Sequence, residues 1–317
     1  MKEPTYRQAL IQAWHITWHN KILWILGLLS IFLGQFGFSD IFGRFWLVSA
    51  GNGGVGLVLP WASVSWPGGS WGIVGAFWIG LIVVSLGVFL VFLSISSQGA
   101  LISYSYEWFK DKGYSNSSKS WRRSLKNFWR LFGVQVIRKV LLFALLLMFA
   151  YVLKIFLVSS LTLASILFAL SLVFVLLLSL LISILFVFTS CYVVIDGKGI
   201  KSALGKAWDL LSRHVLVSFE VGFLLMLFNF VLIAMILFGS FIVFLPSVFI
   251  WLLAGMTNIM GLVTLGYVVG IFLWIVLVVF MAAFFNAFTT SAWVFLFSKM
   301  HHEGISSRLA HWFRNLV

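Results

Sequence analysis

Two histidine groupings come nearest to a reactive arrangement in this 317-residue chain. His15 and His19 are four apart, so on a helix both imidazoles could face one metal ion. No acidic residue lies near them, and each follows a tryptophan, Trp14 or Trp18. The second grouping is His301, His302 and Glu303, with His311 beyond. Adjacent histidines diverge on a helix, so this stretch reads as a solvated tail. There is no G-x-S-x-G elbow, phosphate loop or H-E-x-x-H signature. Only eight acidic residues occur, and Asp40, Asp111, Asp196, Asp209 and Glu303 fall in polar flanks. A pair of carboxylates for acid–base work is hard to assemble from these. No catalytic residue, cofactor or metal is expected.

The remaining chemically distinctive groups are charges inside apolar runs. Glu220 stands about two turns into one such run, and Arg138 with Lys139 at comparable depth in another. A charge in hydrocarbon costs a few kcal/mol or more, so such groups pair or line a polar cavity. A Glu220–Arg138 or Glu220–Lys139 pair acting as a structural clamp is the expectation.

The elements that carry these groups follow from composition. The chain is 62% hydrophobic and 9% charged, whereas soluble domains are about 25% charged. Apolar runs longer than the roughly 18 residues needed to cross a bilayer recur throughout. In lipid every backbone polar group must be paired internally, leaving helices or closed barrels. Barrel strands alternate apolar and polar with period 2, and runs such as Leu172 to Leu181 do not. The fold expected is all-α and polytopic.

Residues 4–20 place Tyr6, Leu10, Ala13, Trp14 and Trp18 on one face of an interfacial helix. A retained first span is expected at 21–38, a Gly-, Ser- and Trp-rich loop at 39–70, and a second span at 71–106. The stretch 110–130 is the most basic, and Trp121, Leu125, Phe128, Trp129 and Phe132 recur in it at helical spacing. From Val140 to Thr189 the run is long enough for two spans, reversing at Val158-Ser159-Ser160. A fifth span is expected at 215–238 and a last at 261–297. Phe241 to Ala254, broken by Pro246, is short for a span and reads as an interfacial or re-entrant piece. Asn229 and Asn286 read as polar bridges between helices. Gly266-x3-Gly270 and Ala76-x3-Gly80 read as places of close helix contact.

Charge supports this layout. Of the 21 Lys and Arg, only Arg44, Arg138, Lys139 and Lys154 fall away from the side holding the N-terminus. The positive-inside rule then places both termini in the cytoplasm, in the plasma membrane, with six spans. The net charge of +13 is spread over membrane flanks, which matches anionic headgroups and gives no reason to invoke nucleic acid. One cysteine, Cys191, excludes an intramolecular disulfide.

The basic segments resemble one another. Gly113, Gly199 and Gly304 precede Trp121, Trp208 and Trp312, and Asn20, Asn127 and His214 stand six residues after Trp14, Trp121 and Trp208. Ala9-x3-Ala13-Trp14 matches Ala203-x3-Ala207-Trp208. This predicts three transmembrane hairpins, each preceded by a basic amphipathic helix, in one membrane domain over 1–317. The units are about 1–112, 113–198 and 199–303, with an amphipathic tail at 304–317. Trp14, Lys119, Trp121, Arg122, Arg123, Lys126, Lys201, Lys206, Trp208, Arg213, Arg308 and Trp312 are the expected membrane-surface anchors.

Ala203-Leu-Gly-Lys-Ala-Trp-Asp-Leu-Leu after Val193-Val-Ile-Asp-Gly, and Ala9-Leu-Ile-Gln-Ala-Trp before Leu23-Trp-Ile-Leu-Gly-Leu-Leu, resemble the membrane domain attached to some glycerophosphoryl diester phosphodiesterases. They are similar, too, to the stand-alone YciC-like membrane proteins of prokaryotes. The resemblance implies a six-helix prokaryotic plasma-membrane protein. It carries over no activity, because the phosphodiesterase barrel is a separate domain. The function expected is non-enzymatic, organising membrane or contacting anionic lipid or a partner protein. The alternative is a small transporter or permease subunit, its hairpins surrounding a path. The ion-pair expectation has a direct check: Glu220→Gln should lower the melting temperature in detergent, and an unchanged value removes the pair.

Overall fold

Lipid-compatible composition and internal backbone pairing produce helices along the whole described chain. The computed structural model describes residues 5–31, 70–110, 115–158, 162–257 and 259–302. The loop expected at 39–70, apart from Ser70, and the tail at 304–317 lie outside these. Among the described residues there are nine helices and no strand: α1 Thr5–His19, α2 Ile22–Ser30, α3 Ser70–Lys110, α4 Ser117–Lys126, α5 Phe128–Val158, α6 Thr162–Ile195, α7 Ile200–Arg213, α8 Val215–Thr257 and α9 Met260–His302. Five of them, α3, α5, α6, α8 and α9, are long and apolar enough to cross a membrane. The first expected span, 21–38, is described only to Ile31, of which α2 supplies nine residues.

One expectation is corrected. Phe241 to Ala254 is not a separate interfacial or re-entrant piece, because α8 runs unbroken for 43 residues through Pro246. A proline removes only the bond from its own missing N–H and crowds one carbonyl. Neighbouring helices make that tolerable in apolar surroundings. Here α9 supplies the support: a Cβ added to Gly270 would lie 2.6 Å from Ser247 Oγ, and one added to Gly266 would lie 2.4 Å from Trp251 Nε1. Trp251 also donates from Nε1 to the Val263 carbonyl at 3.3 Å, and Trp274 from Nε1 to Ser240 Oγ at 3.1 Å. The close contact expected at Gly266-x3-Gly270 is therefore present. At Gly80 an added Cβ would meet open space.

The chain divides into two compact units. The first contains α1, α2, the C-terminal end of α3, α4 and residues 208–302. Its core joins Ile16, Leu23, Leu26, Ala100, Leu101, Tyr104 and Ala287. Asn286 bridges helices as expected, donating from Nδ2 to the Gly27 carbonyl at 2.9 Å and to Ser30 Oγ at 2.7 Å. Gly27 allows this, since a Cβ there would lie 2.4 Å from the Ala283 carbonyl oxygen. The second unit contains the rest of α3, α5, α6 and most of α7. Leu142, Leu145 and Phe149 of α5 pack with Val175 of α6, and Phe149 meets the Phe168 ring at 5.8 Å.

Because the atom facing Gly27 is backbone and cannot swing aside, Gly27→Ala should cost about 1–3 kcal/mol. Gly80→Ala, into open space, should be neutral or slightly stabilising. Melting temperatures of the two variants in detergent check this, and equal values would mean that α2 and α9 tolerate a wider separation.

Candidate functional site

The short basic helices and the ends of the long helices beside them hold the residues singled out by sequence. Each is followed by a break. α1 ends before Asn20, α4 before Asn127 and α7 before His214. Asn is a favoured N-cap, and the Asn127 carbonyl accepts the first bond of α5 from Leu131 N at 3.0 Å. The His214 carbonyl does the same for Ser218 N at 3.0 Å. Asn20 closes α1 instead: its Nδ2 donates to the Ile16 carbonyl at 3.1 Å, and its Oδ1 accepts from the Tyr104 hydroxyl at 3.0 Å.

The faces turned to protein are built from small residues. On α1, Ala9, Ala13, Ile16 and Thr17 are buried, whereas Trp14 and Trp18 are half exposed and stacked at 5.8 Å. Trp14 and Trp18, on the face the sequence assigned to the membrane, thus stay outward, while small residues allow α1 to lie directly on α9. Trp14 meets the edge of Phe284 at 5.3 Å, and Trp24 that of Phe280 at 5.0 Å. On α7 the equivalent Ala203 and Ala207 are buried with Leu210 and Leu211, and Trp208 is again exposed. On α4 the buried positions are Ser120 and Ser124. The expected continuous stripe from Trp121 to Phe132 is interrupted at Asn127, and Trp129 beyond it is 78% exposed.

Glu107, at the end of α3, was missed by sequence reasoning. It is buried, and it pairs with Arg123 Nη1 at 3.1 Å and Lys119 Nζ at 3.5 Å. The available signal was a lone acid near a Lys–Arg pair at i, i+4. Two residues assigned to headgroups therefore also hold α4 against α3, within the first unit. Arg122, Lys126, Lys201 and Lys206 are exposed. Arg213 pairs with Asp209 one turn back at 3.0 Å. Arg308 and Trp312 lie outside the described residues.

Of the charges in apolar runs, Arg138 is 2% exposed, while Lys139 and Glu220 are partly buried. Arg138 and Lys139 belong to the second unit and Glu220 to the first. His15 and His19 have ring centres 4.2 Å apart, but His19 Nδ1 lies 3.0 Å from the His15 carbonyl oxygen. That backbone contact fixes the orientation of the His19 ring through Nδ1. Among the described residues no group of three or more His, Cys, Asp or Glu could hold a metal ion.

A second basic cluster lies where α6 meets α7. α6 stops at Ile195, and Gly197 adopts a φ of 64°, the left-handed conformation that glycine takes without strain. Arg130 of α5 donates from Nη1 to the Gly197 carbonyl, and Lys198 Nζ donates to Asp196 Oδ2. The Asp196 hydrogen bond holds the Lys198 amine above the usual lysine range. Hydrogen-bond contact with Lys198, reinforced by its charge, holds Lys206 below that range.

Comparison with known proteins gives no match to a family model, a curated protein or a solved structure.

Glu107→Gln removes the charge facing two cations and leaves them without their carboxylate. Losing one member of a partly buried pair of this kind costs on the order of 1–3 kcal/mol. Hydrogen exchange across Ser117–Lys126 should accelerate while that of α5 is unchanged, and unaltered exchange in α4 would show that Glu107 does not hold it.

Proposed function

We propose that this chain is a multi-pass plasma-membrane protein with no reaction of its own, whose basic helices gather anionic lipid headgroups at the cytoplasmic face. The observation that carries this reading is how exposure changes along the long helices. α3 is exposed from Phe77 to Phe92, then buried from Ser94 to Ser105. α9 is largely exposed from Met260 to Phe280, then mostly buried from Ala283 to Met300. α5 and α6 change near Lys139 and Ser183. Among the described residues the exposed apolar part spans 16 residues in α3, 15 in α5, 17 in α6 and 21 in α9, close to the length that crosses hydrocarbon. α8 departs from the pattern, with exposed apolar side chains from Phe223 to Met256.

The other end of each helix has a different chemistry. Ser97, Gln98, Ser103, Ser105 and Glu107 of α3 are buried, as are Thr289, Thr290 and Ser291 of α9. Ser105 and Ser291 hydroxyls meet at 3.0 Å. Such polar stretches suit protein contact at the headgroup level, the level that the exposed Trp14 and Trp208 also favour. The hydrocarbon layer therefore covers the far parts of the helices, and the basic helices mark its cytoplasmic boundary.

We read α1–α2, α4–α5 and α7–α8 as copies of one unit, α2 opening the first of six spans. Each pair breaks six residues after its tryptophan, and the residue before that tryptophan (Ala13, Ser120 or Ala207) is wholly buried. The likeness of Ala203–Leu211 to the phosphodiesterase-associated membrane domain fits the same arrangement.

Native mass spectrometry of protein released from mixed vesicles should show phosphatidylglycerol retained over phosphatidylcholine, and equal retention ends the headgroup reading. Orientation is tested separately with a membrane-impermeant maleimide. It should label Lys201→Cys only in opened cells and Val268→Cys in neither state, whereas labelling of Lys201→Cys in intact cells reverses the topology.

A further inference from the structure

The cluster at the α6–α7 junction is more specific than a diffuse basic surface. Resting on the headgroup reading above, we propose that Arg130, Lys198 and Lys206 form a discrete site for the phosphate of an anionic lipid headgroup. The cations at this junction are crowded. Lys206 is fully exposed, so its chain is free to turn into water, yet its amine lies within hydrogen-bonding reach of Lys198. Two ammonium groups at that distance repel one another. A phosphate oxygen between them accepts from both amines and reverses the sign of that interaction. Asp196 offsets one charge, but it already engages Lys198.

The surrounding backbone fixes the geometry. Lys198 lies between the turn at Gly197 and Gly199, its side chain packed 5.0 Å over the Tyr192 ring. Arg130, tied to the Gly197 carbonyl by Nη1, keeps the other end of its planar fork for an oxyanion. Arg presents several donors in a fixed plane suited to phosphate. The occupant is identified as lipid by what adjoins Arg130. Trp129 is 78% exposed and edge-on to Phe128 at 5.5 Å and Phe132 at 6.1 Å. An interfacial aromatic next to a cation cluster places a headgroup at the cations and its acyl chains along the rings. All of these residues belong to the second unit.

The test measures retention of phosphatidate, whose terminal phosphate is unshielded, by the full chain in native mass spectrometry. Lys198→Gln and Lys206→Gln should each reduce retention about tenfold, close to the loss of one charge-assisted hydrogen bond. Arg122→Gln, the same charge change on α4, should leave it unchanged, and Lys206→Arg should preserve it. Melting temperatures confirm folding in every case. Equal losses in Lys206→Gln and Arg122→Gln overturn the discrete site but leave the general headgroup reading intact. Absence of retained anionic lipid in the unaltered protein overturns both. Competition by millimolar inorganic phosphate, with no effect of acyl chain length, would show a soluble phosphate site and overturn the lipid assignment. Retention that resists phosphate and rises with chain length supports it.

Discussion

The constraint on which this structure depends is that its helices are longer than a bilayer is thick. At 1.5 Å per residue, the 43 residues of α8 and of α9 extend roughly 65 Å, about twice the hydrocarbon core. Tilt alone does not absorb this, since spanning helices rarely lean beyond about 40°. Part of each helix has to meet protein instead of lipid. The change from exposed apolar to buried polar-containing surface along α3 and α9 is the response to that requirement.

Small side chains make the buried ends possible. Between helices in lipid there is little hydrophobic driving force, so association depends on close packing and hydrogen bonds. Gly27, Ala283 and Asn286 show both in one place, and Ser105 with Ser291 shows them in another. On α1 and α7 the same logic puts alanine on the protein side and leaves Trp14 and Trp208 facing outward, whereas on α4 serine is buried and Trp121 packs against the core. A short amphipathic helix of this kind is defined less by a wide apolar stripe than by what can approach its neighbour.

The helical class and the long apolar runs were legible in the sequence because composition and backbone satisfaction leave few alternatives. Asn286 as a bridge and Gly266-x3-Gly270 as a contact were legible too, since few residues serve those roles in lipid. The continuity of α8 was not. Pro246 weighs against a helix when read locally, and only the packing of Gly270 on Ser247 decides the matter. The protein-facing side of α1 was less legible, because Ala9 and Ala13 carry little apolar signal although they permit a close neighbour. Glu107 escaped notice because its partners lie across a chain reversal, and the junction cluster because Arg130 and Lys198 are far apart in sequence.

The α8–α9 hairpin bears on how the chain enters a membrane. Between Val221 and Ser298 there is no Asp, Glu, Lys, Arg or His, so no charge has to be dragged through hydrocarbon when its tip crosses. Two such helices can leave the insertion machinery as a closed pair, already hydrogen-bonded and already matched along Trp274, Ser240 and Trp251. The α5–α6 pair is different, because Lys154 lies within its apolar run. A path through hydrocarbon therefore meets no charge along the last pair of helices and meets one along the middle pair.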